Sequence, residues 1–256
     1  MLRNYNCNEN QNPVRDFYAS LYSNQSLEKE RELRERYCKL NSAEMTMEKA
    51  LNLLDTFIDP SDPDLDVPNS VHAYQTAERI RNRFPHDKQL QLTGLIHDLG
   101  KVLFNYNEPN YFIVGDTYVL GAEIPKSVAH YDTIENPGKY AEYGIYKPNC
   151  GLENLTLSWG HDEYLYQVLL GNKDKHHLDK KYMDIIRYHS FYPWHKENEY
   201  SHLMKRGDRH REILADVRMF NEFDLYSKVD SKKISAAAKN YYKKLITDIF
   251  PTPLRW

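Results

Sequence analysis

Along most of this chain the apolar positions fall at helical steps, and no regular alternation of strand and helix emerges. In MTMEKALNLLDTFID, the residues Ala50, Leu51, Leu54, Phe57 and Ile58 mark one face, and Thr46 is placed to cap its start. A second helix should begin near Asn69 or Ser70, carry His72, Thr76 and Ile80, and end at Phe84-Pro85. Asp87 can cap a third, which holds TGLIHDLGKVLF and should stop near Gly100. Ser158 can cap a fourth through GHDEYLYQVLL, closed by Gly171. LDKKYMDIIRYHSFYP predicts a fifth, with Tyr182, Ile185, Ile186 and His189 on one face and Pro193 as its stop. In DRHREILADVRMFNEFDLY, Ile213, Val217, Phe220 and Asp224 follow at steps of four, three and four, and a last helix covers Ala236 to Ile249.

The remaining stretches are less regular. The first forty residues are polar, and within them SLEKERELRERYCKL is rich in helix formers but weakly apolar, as for an exposed helix packed on the body. DPSDPDLDVP is a loop by its prolines, and its four carboxylates, Asp59, Asp62, Asp64 and Asp66, are those of a solvated turn if composition alone decides. YFIVGDTYVLG, Tyr111 to Gly121, is β-prone around Gly115 and reads as a short strand or turn pair, and residues 122–150 read as loop. No Pro/Gly/Ser-rich linker divides the chain, so the expected architecture is a single-domain all-α fold spanning residues 1–256.

Composition narrows the function. With 256 residues, 41% hydrophobic and including 21 tyrosines, the chain can bury a substantial core. A net charge of −3, with Lys and Arg scattered, excludes a nucleic-acid or membrane-surface binder. Cys7, Cys38 and Cys150 form neither a CxxC pair nor a disulfide framework, which fits a reducing cytoplasm. The polar N-terminus lacks the apolar core of a signal peptide, and no stretch approaches the ~20 apolar residues of a membrane span. No coiled-coil heptads or large apolar stripe demand a partner, so a soluble monomer is expected.

One feature is costly. His97 and Asp98 lie side by side among Leu95, Ile96, Leu99, Val102, Leu103 and Phe104, and burying a charge costs several kcal/mol or more unless a partner compensates it. His189 and Asp224 also sit on or beside apolar helical faces, and His72 and His161 lie on two further helices. Singly, each has an ordinary explanation: a core histidine bonded to a carbonyl, or an aspartate accepting the hydroxyl of nearby Tyr226. Together they need a cation. A metal is the economical cation for a site that gathers imidazoles. Adjacent helical residues point ~100° apart, so His97 and Asp98 can address one site from neighbouring directions, and a carboxylate can bridge two ions.

The order His72, His97-Asp98, Asp224 resembles the signature of the HD-domain superfamily, a helical metal-binding fold, and His161 and His189 match its members that hold two metals. The longer stretches DPSDPDLDVPNSVHAYQTAE, GLIHDLGKVL, VGDTYVLG, LSWGHDEYLYQV, IRYHSFYPWH and FNEFDLYSK resemble, in that order, the myo-inositol oxygenase family. The resemblance runs from about residue 3 to Trp256. It implies a non-haem di-iron oxygenase that uses O2 to cleave the ring of myo-inositol between C1 and C6, giving D-glucuronate in the first step of inositol catabolism. Carried over residue by residue, one iron takes His72, His97, Asp98 and Asp224, and the other takes Asp98, His161 and His189. Asp98 and a water or hydroxide bridge the mixed-valent Fe(II)/Fe(III) pair.

The resemblance further implies substrate contacts from Arg3, Asp59, Ser61, Asp62, Lys101, Gly115, Asp116, His189, Ser190 and Lys228, with Lys101 as the catalytic cation. Carboxylates and hydroxyls suit a ring bearing six hydroxyls. Lys101 read alone is equally a helix-end lysine offsetting the C-terminal dipole, and Gly115 alone is equally a turn residue. Residues 1–40 would be an N-terminal extension and lid carrying Arg3. Two other functions are compatible with the ligands: an HD-type metal-dependent phosphohydrolase, against which the acidic loop argues, and a non-catalytic polyol- or metal-binding protein.

Overall fold

The computed structural model describes residues 13–57, 59–61, 68–225 and 234–256. Among them the chain forms ten α-helices, six short 3-10 segments and one two-stranded antiparallel ribbon. The expected all-α class is what is observed.

Helix α1, Pro13–Asn24, corrects the reading of the first forty residues as merely polar. It buries Val14, Phe17, Tyr18, Leu21 and Tyr22. Two of its five core positions are tyrosines, whose rings bury like apolar residues while their hydroxyls find acceptors: Tyr22 donates to the Ala129 carbonyl at 2.6 Å. Helix α2, Leu27–Tyr37, is capped by Ser26 and packs through Leu33, Tyr37 and the carboxylate of Glu30. Its polar face is otherwise exposed, as its composition predicts.

Helix α3, Met47–Leu53, starts at its predicted Thr46 cap, and α4, Asn69–Arg83, starts and stops where the sequence indicates. Helix α5, Lys88–Ile96, is capped by Asp87 but ends four residues before the expected stop at Gly100. The chain continues as a 3-10 helix over Leu99–Tyr106, and Asp98 sits at the junction in the bridge region, φ −91° and ψ 0°. The uninterrupted apolar run hides this junction, because one helical pitch gives way to a tighter one without a polar signal.

Residues 111–121 form no strand. Asn110–Phe112 is a 3-10 turn, and a single bridge joins Val119 to Leu157. β-Propensity is overridden because, among the described residues, no neighbouring strand is present to pair. Helix α6, His161–Gly171, follows Gly160 rather than a Ser158 cap; the Ser158 hydroxyl instead accepts from the Tyr118 amide at 3.1 Å. Helix α7, Lys180–Tyr188, ends before Pro193, which lies inside the short α8, Tyr192–His195. A proline is tolerated in a helix's first turn, where its missing N–H has no partner to lose. Helix α9 spans Asp208–Leu225 and α10 spans Ala236–Ile249 as expected.

Strands β1, Glu44–Met45, and β2, Leu254–Arg255, bring the C-terminal residue Trp256 into the core, where its indole donates to the Met45 carbonyl at 3.2 Å. The largest core cluster runs from α1 through α5 and α6 to α10, while Ile80, Leu90, Ile185 and Phe220 form a smaller one where α4, α5, α7 and α9 meet. Those same helices converge on one polar cluster. No described helix is long and apolar enough to cross a membrane.

Candidate metal centre

Five elements deliver the six predicted ligands to one place. His72 comes from α4, His97 caps the C-terminal end of α5, and Asp98 follows it. His161 opens α6, His189 caps α7, and Asp224 lies in the last turn of α9. The helix-end positions leave each side chain free to turn inward. Gly100 allows the approach of two of these elements: a Cβ on it would lie 1.9 Å from the carbonyl oxygen of His161.

Asp98 is the centre of the arrangement. Its Oδ1 lies 3.2 Å from His161 Nε2 and 3.7 Å from His189 Nε2. Its Oδ2 lies 3.6 Å from His97 Nε2. Asp224 Oδ1 completes the second side, 2.9 Å from His72 Nε2 and 3.2 Å from His97 Nε2. Two sets of donor atoms therefore share Asp98: His72 and His97 on one side, His161 and His189 on the other. The residues are buried except His72, which is partly exposed.

The hydrogen bonds orient the imidazoles. His97 Nδ1 faces the Gly94 carbonyl at 2.9 Å, His161 Nδ1 the Ile113 carbonyl at 2.8 Å, and His189 Nδ1 the Ile186 carbonyl at 2.7 Å. A carbonyl only accepts, so each Nδ1 carries a proton and each Nε2 faces the site. This is the outer bonding that metal-ligating histidines ordinarily make. His161 Nε2 and His189 Nε2 are 3.2 Å apart. With the Asp98 carboxylate beside them, these two nitrogens form a group that could hold a metal ion. Nitrogen and oxygen donors of this kind suit iron, manganese or zinc.

Part of the compensation for Asp98 is supplied by the chain. Lys101 Nζ lies 2.9 Å from Asp98 Oδ2 and 2.9 Å from Asp59 Oδ2. Burial alone would raise the Asp98 carboxyl, but Lys101 and His97 hold it well below the usual carboxylate range. Asp224, equally buried, is held well below by His97 and His72. Burial would likewise lower Lys101, yet its two carboxylates keep the ammonium above its ordinary value. Asp59 is lowered by Lys101 and by Ser61, whose amide and hydroxyl donate to Oδ1 at 2.9 and 2.6 Å. The cluster as described holds three carboxylates against one ammonium, which leaves room for further positive charge.

Of the expected substrate contacts, Asp59, Ser61, Lys101, His189 and Ser190 are drawn together here; Ser190 Oγ is 3.5 Å from His161 Nε2. Gly115 and Asp116 lie on an adjoining loop. That loop is tied to the site through Thr117, whose amide donates to the Ser190 carbonyl at 2.9 Å. Asp116 Oδ1 accepts from the Tyr18 hydroxyl at 2.9 Å. Gly115 has φ +102°, a backbone conformation that favours glycine, and a Cβ there would press on the Leu21 side chain of α1 at 2.5 Å. Arg3, Asp62 and Lys228 lie outside the described residues.

Two buried carboxylates on α6 escaped the sequence reading. Asp162 accepts from the Thr117 hydroxyl at 2.6 Å, and Glu163 accepts from Arg187 Nε at 2.7 Å. Their signal was available: like His97-Asp98, they precede an apolar run, here Tyr164, Leu165, Val168 and Leu169.

The family model described as "Myo-inositol oxygenase" matches residues 11–256. The chain is 43% identical over 268 residues to "Inositol oxygenase" of Dictyostelium discoideum, covering all of this chain and 89% of that protein. It is 42% identical over 265 residues to "Probable inositol oxygenase" of Oryza sativa subsp. japonica, with 100% and 85% covered, and 39% identical over 262 residues to "Inositol oxygenase" of Homo sapiens, with 100% and 90% covered. A chain that matches across its length and assembles two donor sets around one shared aspartate belongs to the myo-inositol oxygenase family.

Proposed function

We propose that the chain oxidises myo-inositol with O2, cleaving the ring between C1 and C6 to give D-glucuronate, at a centre of two iron ions. His72, His97, Asp98 and Asp224 would hold one ion and Asp98, His161 and His189 the other, in a mixed-valent pair with a water or hydroxide as second bridge. The observation that carries this reading is the division of Asp98, with Oδ1 toward His161 and His189 and Oδ2 toward His97. When bound, iron would supply the dioxygen and electron-transfer chemistry.

The chain's own contribution is positioning and charge. Lys101 spends two of its three N–H bonds on Asp59 and Asp98, which leaves one for a substrate oxygen. Held as a buried cation, it would stabilise a sugar hydroxyl that gives up its proton. Asp59 is held anionic and bonded to Lys101, so it serves as an acceptor for a hydroxyl and as an anchor for Lys101, not as the base. Ser61 and Ser190 add hydroxyls able to donate or accept, and burial of the cluster excludes bulk water. A phosphohydrolase is the weaker reading, since a phosphate entering beside Asp59 would meet an anion.

The test is O2 consumption by the iron-loaded protein, dependent on myo-inositol, with D-glucuronate as product. A panel of phosphomonoesters and nucleotides is run beside it. Phosphate release without O2 uptake would reverse the assignment.

A further inference from the structure

Behind the metal centre, on the side of α6 and α7 away from their ligands, lies a buried charge network. Glu163 is 1% exposed. Arg187 donates to it from Nε at 2.7 Å, Arg34 of α2 from Nη2 at 2.9 Å, and Gln167 from Nε2 at 2.7 Å. Arg34 also pairs with Glu30, 2.6 Å away. Arg187 is held further by the faces of Tyr166 and Tyr188, at 4.5 and 5.3 Å.

The placement of these residues in the chain matters. Glu163 follows His161 by two residues, and Arg187 precedes His189 by two. Two steps on a helix turn a side chain about 200°, so the ion pair and the histidine pair lie on opposite sides of the same two helices. The α6 and α7 helices are therefore held together at two points. One is the approach of His161 Nε2 to His189 Nε2 at 3.2 Å, with Asp98 Oδ1 beside both. The other is the bond between Arg187 and Glu163, which is attractive whether or not a cation is bound.

We propose that the Glu163–Arg187 pair is a positioning device that holds His161 and His189 at ligand spacing, and so sets the affinity of the Asp98/His161/His189 site for its ion. This rests on the metal-centre reading above. Glu163 and Arg187 touch neither substrate nor ligand; they act through the helices that carry the ligands. Among the described residues the pair's hydrogen bonds go to α2, α6 and α7 and not to α4 or α9, so the site built by His72, His97 and Asp224 is not under its control.

The experiment measures metal retention, not turnover. Full-length metal-free protein is equilibrated with Co2+ or Zn2+ at chelator-buffered free concentrations, and bound metal is counted. Glu163→Gln leaves two arginines short of a partner and is paired with the double variant Glu163→Gln/Arg187→Met, in which Arg34 keeps Glu30. Helical circular dichroism and a cooperative melt establish folding. The expected result is that the folded double variant binds one ion as the wild type does and the second at least tenfold more weakly, in line with outer-sphere partners of metal ligands. Adding the double variant to a His161→Ala background should cost no further ion. The proposal is overturned if the folded variant holds both ions within twofold of wild type, or weakens both equally. A wild-type protein that binds a single ion would overturn the two-site reading itself, and this inference with it; that result is read before any variant is compared.

Discussion

His161 and His189 point their Nε2 atoms at each other across 3.2 Å while each rests its Nδ1 against a backbone carbonyl. Both Nδ1 protons are committed to those carbonyls, and Asp98 Oδ1 lies 3.2 and 3.7 Å from the two Nε2 atoms. Metal should therefore stabilise the fold. Removing it with a chelator should lower the melting temperature. Restoring Fe2+ or Co2+ at a thousandfold excess over its dissociation constant should recover about 4 kcal/mol per site. Differential scanning calorimetry with and without metal checks this.

Asp98 serves both donor sets, so Asp98→Ala should empty both sites where His72→Ala empties one. On the two-ion centre proposed above, elemental analysis of purified protein should show metal content falling from two ions per chain to none. Retention of either ion at full occupancy in the Asp98 variant would remove its bridging role.

Lys101 neutralises Asp59 and Asp98 in the same buried space. Lys101→Ala should keep metal, since the six ligands remain, but lower kcat by at least a hundredfold. It should also lose about 3 kcal/mol of stability, because two buried carboxylates lose their partner. Metal content, steady-state O2 uptake and urea unfolding separate the three effects.

Gly100 allows the turn after Asp98 to lie against the backbone of α6. Gly100→Ala would press a methyl into the His161 carbonyl at 1.9 Å. Backbone cannot yield as a side chain does, so the variant should lose about 3 kcal/mol and bind metal more weakly at the His161 side. Chemical denaturation paired with metal analysis tests it.

His195 contributes a pH dependence of stability. Burial pulls its imidazole down to about 4, against the opposing bond of its Nε2 to the His189 carbonyl at 3.0 Å. The folded pKa lies below the unfolded value of about 6.5, so between the two the unfolded chain binds more protons. Stability is full above pH 6.5 and declines as pH falls toward 4, by about 3 kcal/mol from this residue. Unfolding of the wild type and of His195→Gln across that range should show the extra slope in the wild type alone.

The helices that the sequence makes legible are those in which caps and periodicity agree. Thr46 and Asp87 cap their helices as read, and the last helix runs Ala236–Ile249 as read. The failures have local causes. Tyrosines disguised the buried face of α1, and the apolar run through Leu103 concealed the change of helix type at Asp98. Ser158 has the right chemistry for a cap, but the Tyr118 amide took its hydroxyl.

By itself the sequence determined the helical class, and it exposed the ligand types through their cost, since charged residues on apolar faces must have partners. Only the tertiary structure decided how they are compensated. Lys101 reaching Asp98 and Asp59, the two-sided Asp98, and the Glu163–Arg187 pair behind the centre all depend on contacts between distant segments. Periodicity reports which face of a helix is buried, but the distance between two buried faces is set by packing, and coordination is a matter of distance.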